Sequence, residues 1–123
     1  MKNNTYGHRV WFFPDGDLPP AGTGEFKGHE SLVMLNPNAT DARVQLTVYY
    51  PDREPGLPPV QVVQARRVRC IRTDEPIGDY RIPLGQYALK LESTTPIIAQ
   101  IGRADIRQPN LAYYTVMGFP GEL

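Results

Sequence analysis

Residues 29–55 read HESLVMLNPNATDARVQLTVYYPDREP, and the fold prediction starts from this stretch. In its second half Val44, Leu46 and Val48 alternate with polar residues. Successive side chains of a strand point to opposite faces, so this alternation predicts a half-buried β-strand. The continuous run LVML at 32–35 is typical of a strand covered on both faces, although periodicity alone also allows a helical segment. Turn formers fill residues 36–41, so we predict a β-hairpin near the centre of the fold.

Other short apolar runs are separated by prolines and turn residues. The 13 prolines of this 123-residue chain leave little room for a long helix. Seven to eight short strands predict an all-β fold, a jelly-roll-like antiparallel β-sandwich spanning residues 1–123 as a single domain, with a barrel as the related alternative. Beyond the hairpin we expect strands at 9–14, 60–72 with a break allowed near Ala65, 86–92, 97–103 and 111–119, a surface loop at 15–24 and a turn at 93–96.

Composition narrows the function classes. The 13 Lys and Arg residues balance 13 Asp and Glu, so no global charge draws the chain to nucleic acid or membrane. A lone cysteine, Cys70, excludes an intramolecular disulfide and favours a reducing compartment. Cys70 shares strand parity with Val68, which predicts a position in the core. No stretch approaches the ~20 apolar residues of a membrane span, so we expect a soluble, cytoplasmic protein.

Catalytic and metal motifs are absent from the sequence. Its two histidines and one cysteine do not supply the four ligands of a structural zinc site. No G-x-S-x-G nucleophile elbow occurs, so serine hydrolase chemistry has no support. We therefore predict a protein that is not an enzyme and uses neither metal nor cofactor.

Polar residues gather where apolar strands end, which is where sandwich folds place binding sites. His29 and Glu30 open the predicted hairpin; Gln100, Arg103 and Asp105 follow another apolar run. The alternatives are an ordinary polar strand start and an intramolecular Arg–Asp pair.

Arginines form a local basic cluster at residues 66–72, beginning with Arg66 and Arg67. Such a cluster suits an anion, a carboxylate-bearing ligand or a nucleic-acid backbone, unless the acidic residues at 74–79 neutralise it. We place the candidate site at the hairpin ends, beside Arg66 and Arg103, and away from the turn at 36–41. The candidate ligand-binding residues are His29, Glu30, Tyr49, Arg66, Arg67, Gln100, Arg103 and Asp105.

An ordered set of residues runs along most of the chain: Trp11, Pro19-Pro20, Gly22, Gly24, His29-Glu30, Leu35-Asn36, Asp41-Ala42, Thr47-Val48-Tyr49-Tyr50, Asp52, Glu54-Pro55, Ala65-Arg66-Arg67, Ile82-Pro83, Tyr87-Ala88, Pro96-Ile97, Gln100, Arg103-Ala104-Asp105 and Arg107-Gln108. This set resembles the sensory rhodopsin transducer family, small soluble proteins typified by a cyanobacterial transducer. No single motif is diagnostic, but the match covers about residues 9–116.

This resemblance implies a cytoplasmic, non-enzymatic β-sandwich that assembles as a cyclic homotetramer. It also implies signal relay from a membrane photoreceptor or another receptor, and binding of a small, sugar-like molecule. We therefore expect a signal-transducing or small-molecule-binding module. The alternative is a DNA-binding transcriptional regulator that uses the arginines at 66–72.

Overall fold

A computed structural model describes residues 4–122 and confirms the all-β prediction, since every element in that range is a strand. No helix in this range is long and apolar enough to cross a membrane. The eight strands are β1 (His8–Leu18), β2 (His29–Asn36), β3 (Ala42–Tyr49), β4 (Gln61–Val63), β5 (Arg67–Arg72), β6 (Gly85–Asp105), β7 (Ala112–Met117) and β8 (Phe119–Pro120).

One long strand, β6, joins the two layers of the sandwich. Its first half pairs with β1 and β3, and its second half pairs with β2 and β7, all antiparallel. The first layer therefore runs β4-β3-β6-β1-β8, and the second runs β5-β2-β6-β7.

The predicted turn at 93–96 is wrong, because β6 continues through it for a total of 21 residues. Side chains supply hydrogen bonds where the strand changes layer. Ser93 Oγ donates to the carbonyl of Thr95 over 2.6 Å, and Asn38 Nδ2 donates to the carbonyl of Pro96 over 2.8 Å. These bonds satisfy backbone carbonyls at the point where β6 changes layer.

The predicted hairpin is also wrong, because β2 and β3 do not pair with each other. Both pair with β6, but with different halves of it, so the chain crosses from one layer to the other at residues 37–41. Asn36 stabilises this crossing, since its Nδ2 donates to the carbonyls of Thr40 (2.8 Å) and Val63 (3.0 Å).

The hydrophobic core lies between the layers. The alternation at 44–48 correctly predicted its buried side, since Val44, Leu46 and Val48 are fully buried. In β2, however, Leu32 and Met34 are buried while Leu35 is exposed, so this strand is covered on one face only.

Three local expectations also change. Strand β1 continues to Leu18 through part of the predicted loop, because its end pairs with the start of β6. The expected break near Ala65 is present between β4 and β5. Cys70 is exposed, not in the core. It does share a face with Val68, but nothing in residues 4–122 covers that face of β5, an edge strand.

Candidate functional site

The predicted site residues do not form one rim. In the pairing of β2 with its neighbours, Glu30 lies opposite Arg103, whereas Asn36 lies opposite Arg67. Six residues of strand separate these positions, about 20 Å at ~3.3 Å per residue. The expectation that Arg66 and Arg67 lie beside His29, Glu30 and Arg103 is therefore wrong.

A buried polar cluster forms around Glu30, whose side chain is fully buried. One carboxylate oxygen, Oε2, accepts from Arg103 Nε over 2.9 Å and from the backbone N–H of Asp17 over 3.2 Å. The other, Oε1, accepts from Thr73 Oγ1 over 2.8 Å and from the phenol of Tyr87. All four donors reach the carboxylate from outside β2, so the cluster ties several strands together.

Arg103 extends this cluster towards the surface. Its Nη2 donates to the carbonyl of Asp15 over 2.7 Å, and its Nη1 donates to Tyr114 Oη over 2.9 Å. Burial opposes the charge of Arg103, but hydrogen bonds to Tyr114 and Glu30 raise its pKa above the usual value, so it stays charged.

The cluster is closed chemically. Every buried side-chain nitrogen and oxygen within residues 4–122 has a hydrogen-bond partner. A ligand reaching Glu30 would have to displace an existing donor and leave a buried charge unpaired. The geometry therefore indicates that Glu30 and Arg103 stabilise the fold, because their hydrogen bonds join β1, β2, β6 and β7.

Sequence reasoning missed the other members of this cluster. Tyr87 was named only among the residues that carry the family resemblance, Asp17 lay in the predicted loop at 15–24, and Thr73 was not singled out. An inward glutamate in an apolar strand was the signal available, because a buried carboxylate requires donors from neighbouring strands.

Tyr87 yields a prediction about alkaline pH. Burial raises the pKa of its phenol well above 10.0, and the negative charge of Glu30 raises it further. Its contribution to stability is full below the ordinary pKa and is lost as pH rises through the higher folded value. In an ultraviolet titration, Tyr87→Phe should remove one phenol from the change that occurs well above pH 10 and none from the change at lower pH. Loss of a phenol from the lower-pH change would contradict this prediction. The control is urea-unfolded protein, in which burial no longer raises the pKa of Tyr87.

The other predicted site residues near Glu30 have partners outside the polar cluster. His29 Nδ1 contacts the carbonyl of Lys27 at 2.9 Å. Asp105 is paired with Arg107, whose hydrogen bonds lower the pKa of that carboxyl. Arg107 also reaches Asp17 over 3.1 Å. The Arg–Asp pair anticipated as an alternative therefore exists, with Arg107 as the principal cation.

Tyr49 lies at the end of β3, opposite Ala88. It lines a cleft of about 200 Å³ together with Tyr50, Pro14 and Tyr87, the residue whose phenol donates to Glu30. No arginine of residues 66–72 lines this cleft, and the role of Tyr49 in binding stays a prediction.

An apolar surface covers the outer side of the β5-β2-β6-β7 layer. Leu35 lies between Val68 on β5 and Ile98 on β6, and all three are exposed. Towards β7 the surface continues with Met117, which lies beside Gln100 and is about two-thirds exposed. We call this surface, formed by Leu35, Val68, Ile98 and Met117, the apolar face.

The arginines at residues 66–72 differ in whether they have an acidic partner. Arg72 pairs with Asp74 over 2.6 Å and with Glu75 over 3.6 Å. The other three arginines are exposed and have no acidic partner among residues 4–122; they are Arg66, Arg67 and Arg69. Within the same range, no group of three or more candidate metal ligands comes together.

Fold and polar cluster together define a small β-sandwich module in which one long strand joins both layers and a closed ion pair ties the strands together. The family model described as Anabaena sensory rhodopsin transducer matches residues 6–120. The chain belongs to this family. The resemblance seen in the sequence is thereby confirmed.

Two solved structures support the assignment. The structure of Thermotoga maritima 1070 is 28% identical and covers 94% of this chain and 97% of its own, with a TM-score of 0.82. The structure of the Anabaena sensory rhodopsin transducer is 33% identical and covers 80% of this chain and 98% of its own, with a TM-score of 0.72. No curated protein sequence matches.

Proposed function

We propose that this protein is a non-enzymatic, cytoplasmic signal transducer that acts as a homotetramer, binds a small molecule, and relays the state of a membrane receptor. Membership in the transducer family supports receptor contact. The observation that carries the assembly proposal is the apolar face, because an exposed apolar surface of several large side chains marks a protein contact.

A second copy of the chain is the partner that best fits the apolar face. The residues of this face are uncharged, and the whole chain has a net charge of zero, so electrostatic repulsion does not oppose self-association. Closed symmetric assemblies of identical chains are the usual form of soluble oligomers. Burying Val68, Ile98 and Met117 against another copy would remove apolar area from water.

Light scattering of the purified chain tests the assembly. We expect a mass near four protomers of 13.8 kDa each. A monomer at every concentration would contradict the proposal. Receptor contact is tested separately, by titrating the chain into a detergent-solubilised sensory rhodopsin and measuring thermophoresis.

DNA binding is a second candidate, favoured by Arg66, Arg67 and Arg69, which are exposed without acidic partners in the described part of the chain. Arginines that neutralise backbone phosphates release counterions, so affinity should fall steeply as salt rises. Fluorescence anisotropy with labelled duplex DNA measures this. We expect Arg69→Ala to weaken binding and flatten the salt dependence, by about one unit of slope. Absence of binding at low salt would exclude this candidate.

A further inference from the structure

We propose that Arg9 and Arg66 bind a small organic anion, a carboxylate or phosphate ester carrying hydroxyl groups, in a cleft at the crossing between the two layers. The proposal gives the small-molecule binding named above a site and a ligand class. It does not depend on the tetramer. It also reverses the sequence expectation, which placed binding away from the turn at 36–41.

The cleft has a volume of about 680 Å³, within the usual range of small-molecule sites. The N-terminal residues before β1, the crossing at 37–40 and the middle of β6 form its walls. Arg9 at the start of β1 and Arg66 in the turn before β5 complete the lining. Its lining residues are Asn4, Thr5, Tyr6, Arg9, Pro37, Asn38, Ala39, Thr40, Arg66, Thr94, Thr95 and Pro96.

The charged residues that line the cleft favour an anionic ligand. Among residues 4–122, Arg9 and Arg66 are the only ionisable residues that line the cleft apart from the phenol of Tyr6, and no Asp or Glu of this range lines it. Neither arginine side chain forms an ion pair within residues 4–122. From Arg9, Glu122 accepts the backbone N–H and not the guanidinium, and the same carboxylate lies 3.6 Å from His8 Nδ1. Free guanidinium groups match carboxylate and phosphate oxygens, which they can bind in pairs.

Arg9 is partly oriented already. Its Nε donates to the carbonyl of Thr94 over 3.4 Å, and neither terminal nitrogen has an acceptor among residues 4–122. Among residues 4–122 the guanidinium of Arg66 has no acceptor, although the backbone of Arg66 is hydrogen-bonded. The cleft therefore offers unused charged donors, in contrast to the closed cluster around Glu30.

The backbone conformation of Arg66 is strained, which indicates that its side chain has a function. Its φ is 55°, in the left-handed region that favours glycine or asparagine. Its N–H donates to the carbonyl of Asn38 over 3.1 Å, which holds this conformation against the crossing. Residues held in sparsely populated conformations cluster at functional sites, and here the strained residue carries the charge.

The walls of the cleft are preformed. The side chain of Asn38 is buried and forms three hydrogen bonds. Its Nδ2 donates to the carbonyls of Tyr6 (2.9 Å) and Pro96 (2.8 Å), and its Oδ1 accepts the N–H of Tyr6 at 2.9 Å. Because the three segments are already tied together, little ordering entropy opposes binding.

The uncharged polar residues that line the cleft favour hydroxyl groups on the remainder of the ligand. Asn4, Thr5 and Thr40 contribute amide and hydroxyl groups beside the two arginines. Such groups exchange hydrogen bonds with ligand hydroxyls, and a purely apolar ligand would leave them unpaired. A hydroxylated carboxylate and a hydroxylated phosphate ester share this chemistry.

A nuclear magnetic resonance titration of the ¹⁵N-labelled full chain tests the proposal. The probes are gluconate, glucose 6-phosphate and neutral glucose, compared at constant ionic strength so that screening does not change. We expect saturable shifts with the two anions, concentrated at the amides of Ala39, Thr40, Thr94 and Thr95. Comparison of the two anions identifies whether a carboxylate or a phosphate is preferred.

Two variants separate the charge from the fold. Arg66→Gly removes the guanidinium and should fold well, since glycine favours the left-handed backbone here. We expect it to weaken anion binding at least ~10-fold, as loss of a charge-assisted contact predicts. Arg67→Ala is the matched control, because it removes the same charge from the next residue, which does not line the cleft.

Three results would overturn the proposal: no saturation with either anion, equal binding of glucose, or equal weakening by Arg67→Ala. If duplex DNA displaces a bound anion, and Arg66→Gly and Arg67→Ala weaken anion binding equally, the result would favour DNA binding over the proposed anion site. If anion binding fails while the mass stays near four protomers, this site is wrong and the proposed assembly stands.

Discussion

Replacing Glu30 by glutamine should lower the free energy of unfolding by about 3–5 kcal/mol, the usual effect of breaking a buried ion pair. Glu30 and Arg103 are almost fully buried, at 0% and 2% exposure, with Nε and Oε2 2.9 Å apart. In Glu30→Gln the guanidinium of Arg103 keeps its desolvation cost and loses its countercharge. The new amide also places a donor where the carboxylate had accepted four hydrogen bonds.

Urea unfolding at neutral pH measures this loss as a shift of the midpoint at unchanged slope. The matched control is Arg107→Gln, which breaks a partly exposed pair with Asp105 and Asp17. Such pairs contribute about 0–1 kcal/mol. Equal losses in the two variants would contradict a special stabilising effect of the buried pair.

A double substitution distinguishes lost pairing from lost packing. Glu30→Met with Arg103→Met removes both charges and keeps similar volume. Buried pairs replaced in this way often retain stability, whereas either single substitution leaves one charge unpaired. We expect the double variant to lose less than either single variant; an additive loss would argue against coupling between the two residues.

The second large effect concerns the apolar face. Ile98→Lys places a charge at the centre of this face, beside Leu35. If the face is buried between copies, the lysine loses hydration without a partner, and each interface should weaken at least ~100-fold. We expect light scattering to change from a mass near four protomers to that of one.

Val60→Lys is the control for this experiment. Val60 is exposed to a similar extent, 41% against 43% for Ile98, but lies by a groove on the other layer. It should leave the mass unchanged. Because Ile98 is exposed within one chain, its substitution should not unfold the protomer, and circular dichroism checks this. A tetramer that survives Ile98→Lys would place the interface elsewhere.

Local patterns predicted the strands well. Alternation at 44–48 identified the buried side of β3, because side-chain direction in a strand depends only on local geometry. Proline spacing predicted that no long helix forms, and residues 4–122 contain none. The family resemblance came from an ordered set of residues along the chain, and the family match over residues 6–120 confirmed it.

The candidate site was predicted only as residue types. Glu30 and Arg103 were recognised as important polar residues, but their pairing depends on the register between β2 and β6. Arg67 was placed beside them as part of one predicted site at strand ends, whereas the structure separates them along β2. No local signal in the sequence reports the distance between residues on different strands.

The sequence by itself determined the all-β class, the turns and loops between most strands, and the buried side of β3. These features follow from the two-residue repeat of side-chain direction in a strand and from the backbone preferences of proline and turn residues. Only the tertiary structure decided that β6 continues through both layers, that β2 and β3 lie in different layers, and that Arg9 and Arg66 line one cleft. Strand pairing is a long-range choice made by the burial of the whole core, and residues far apart in the chain become neighbours only through it.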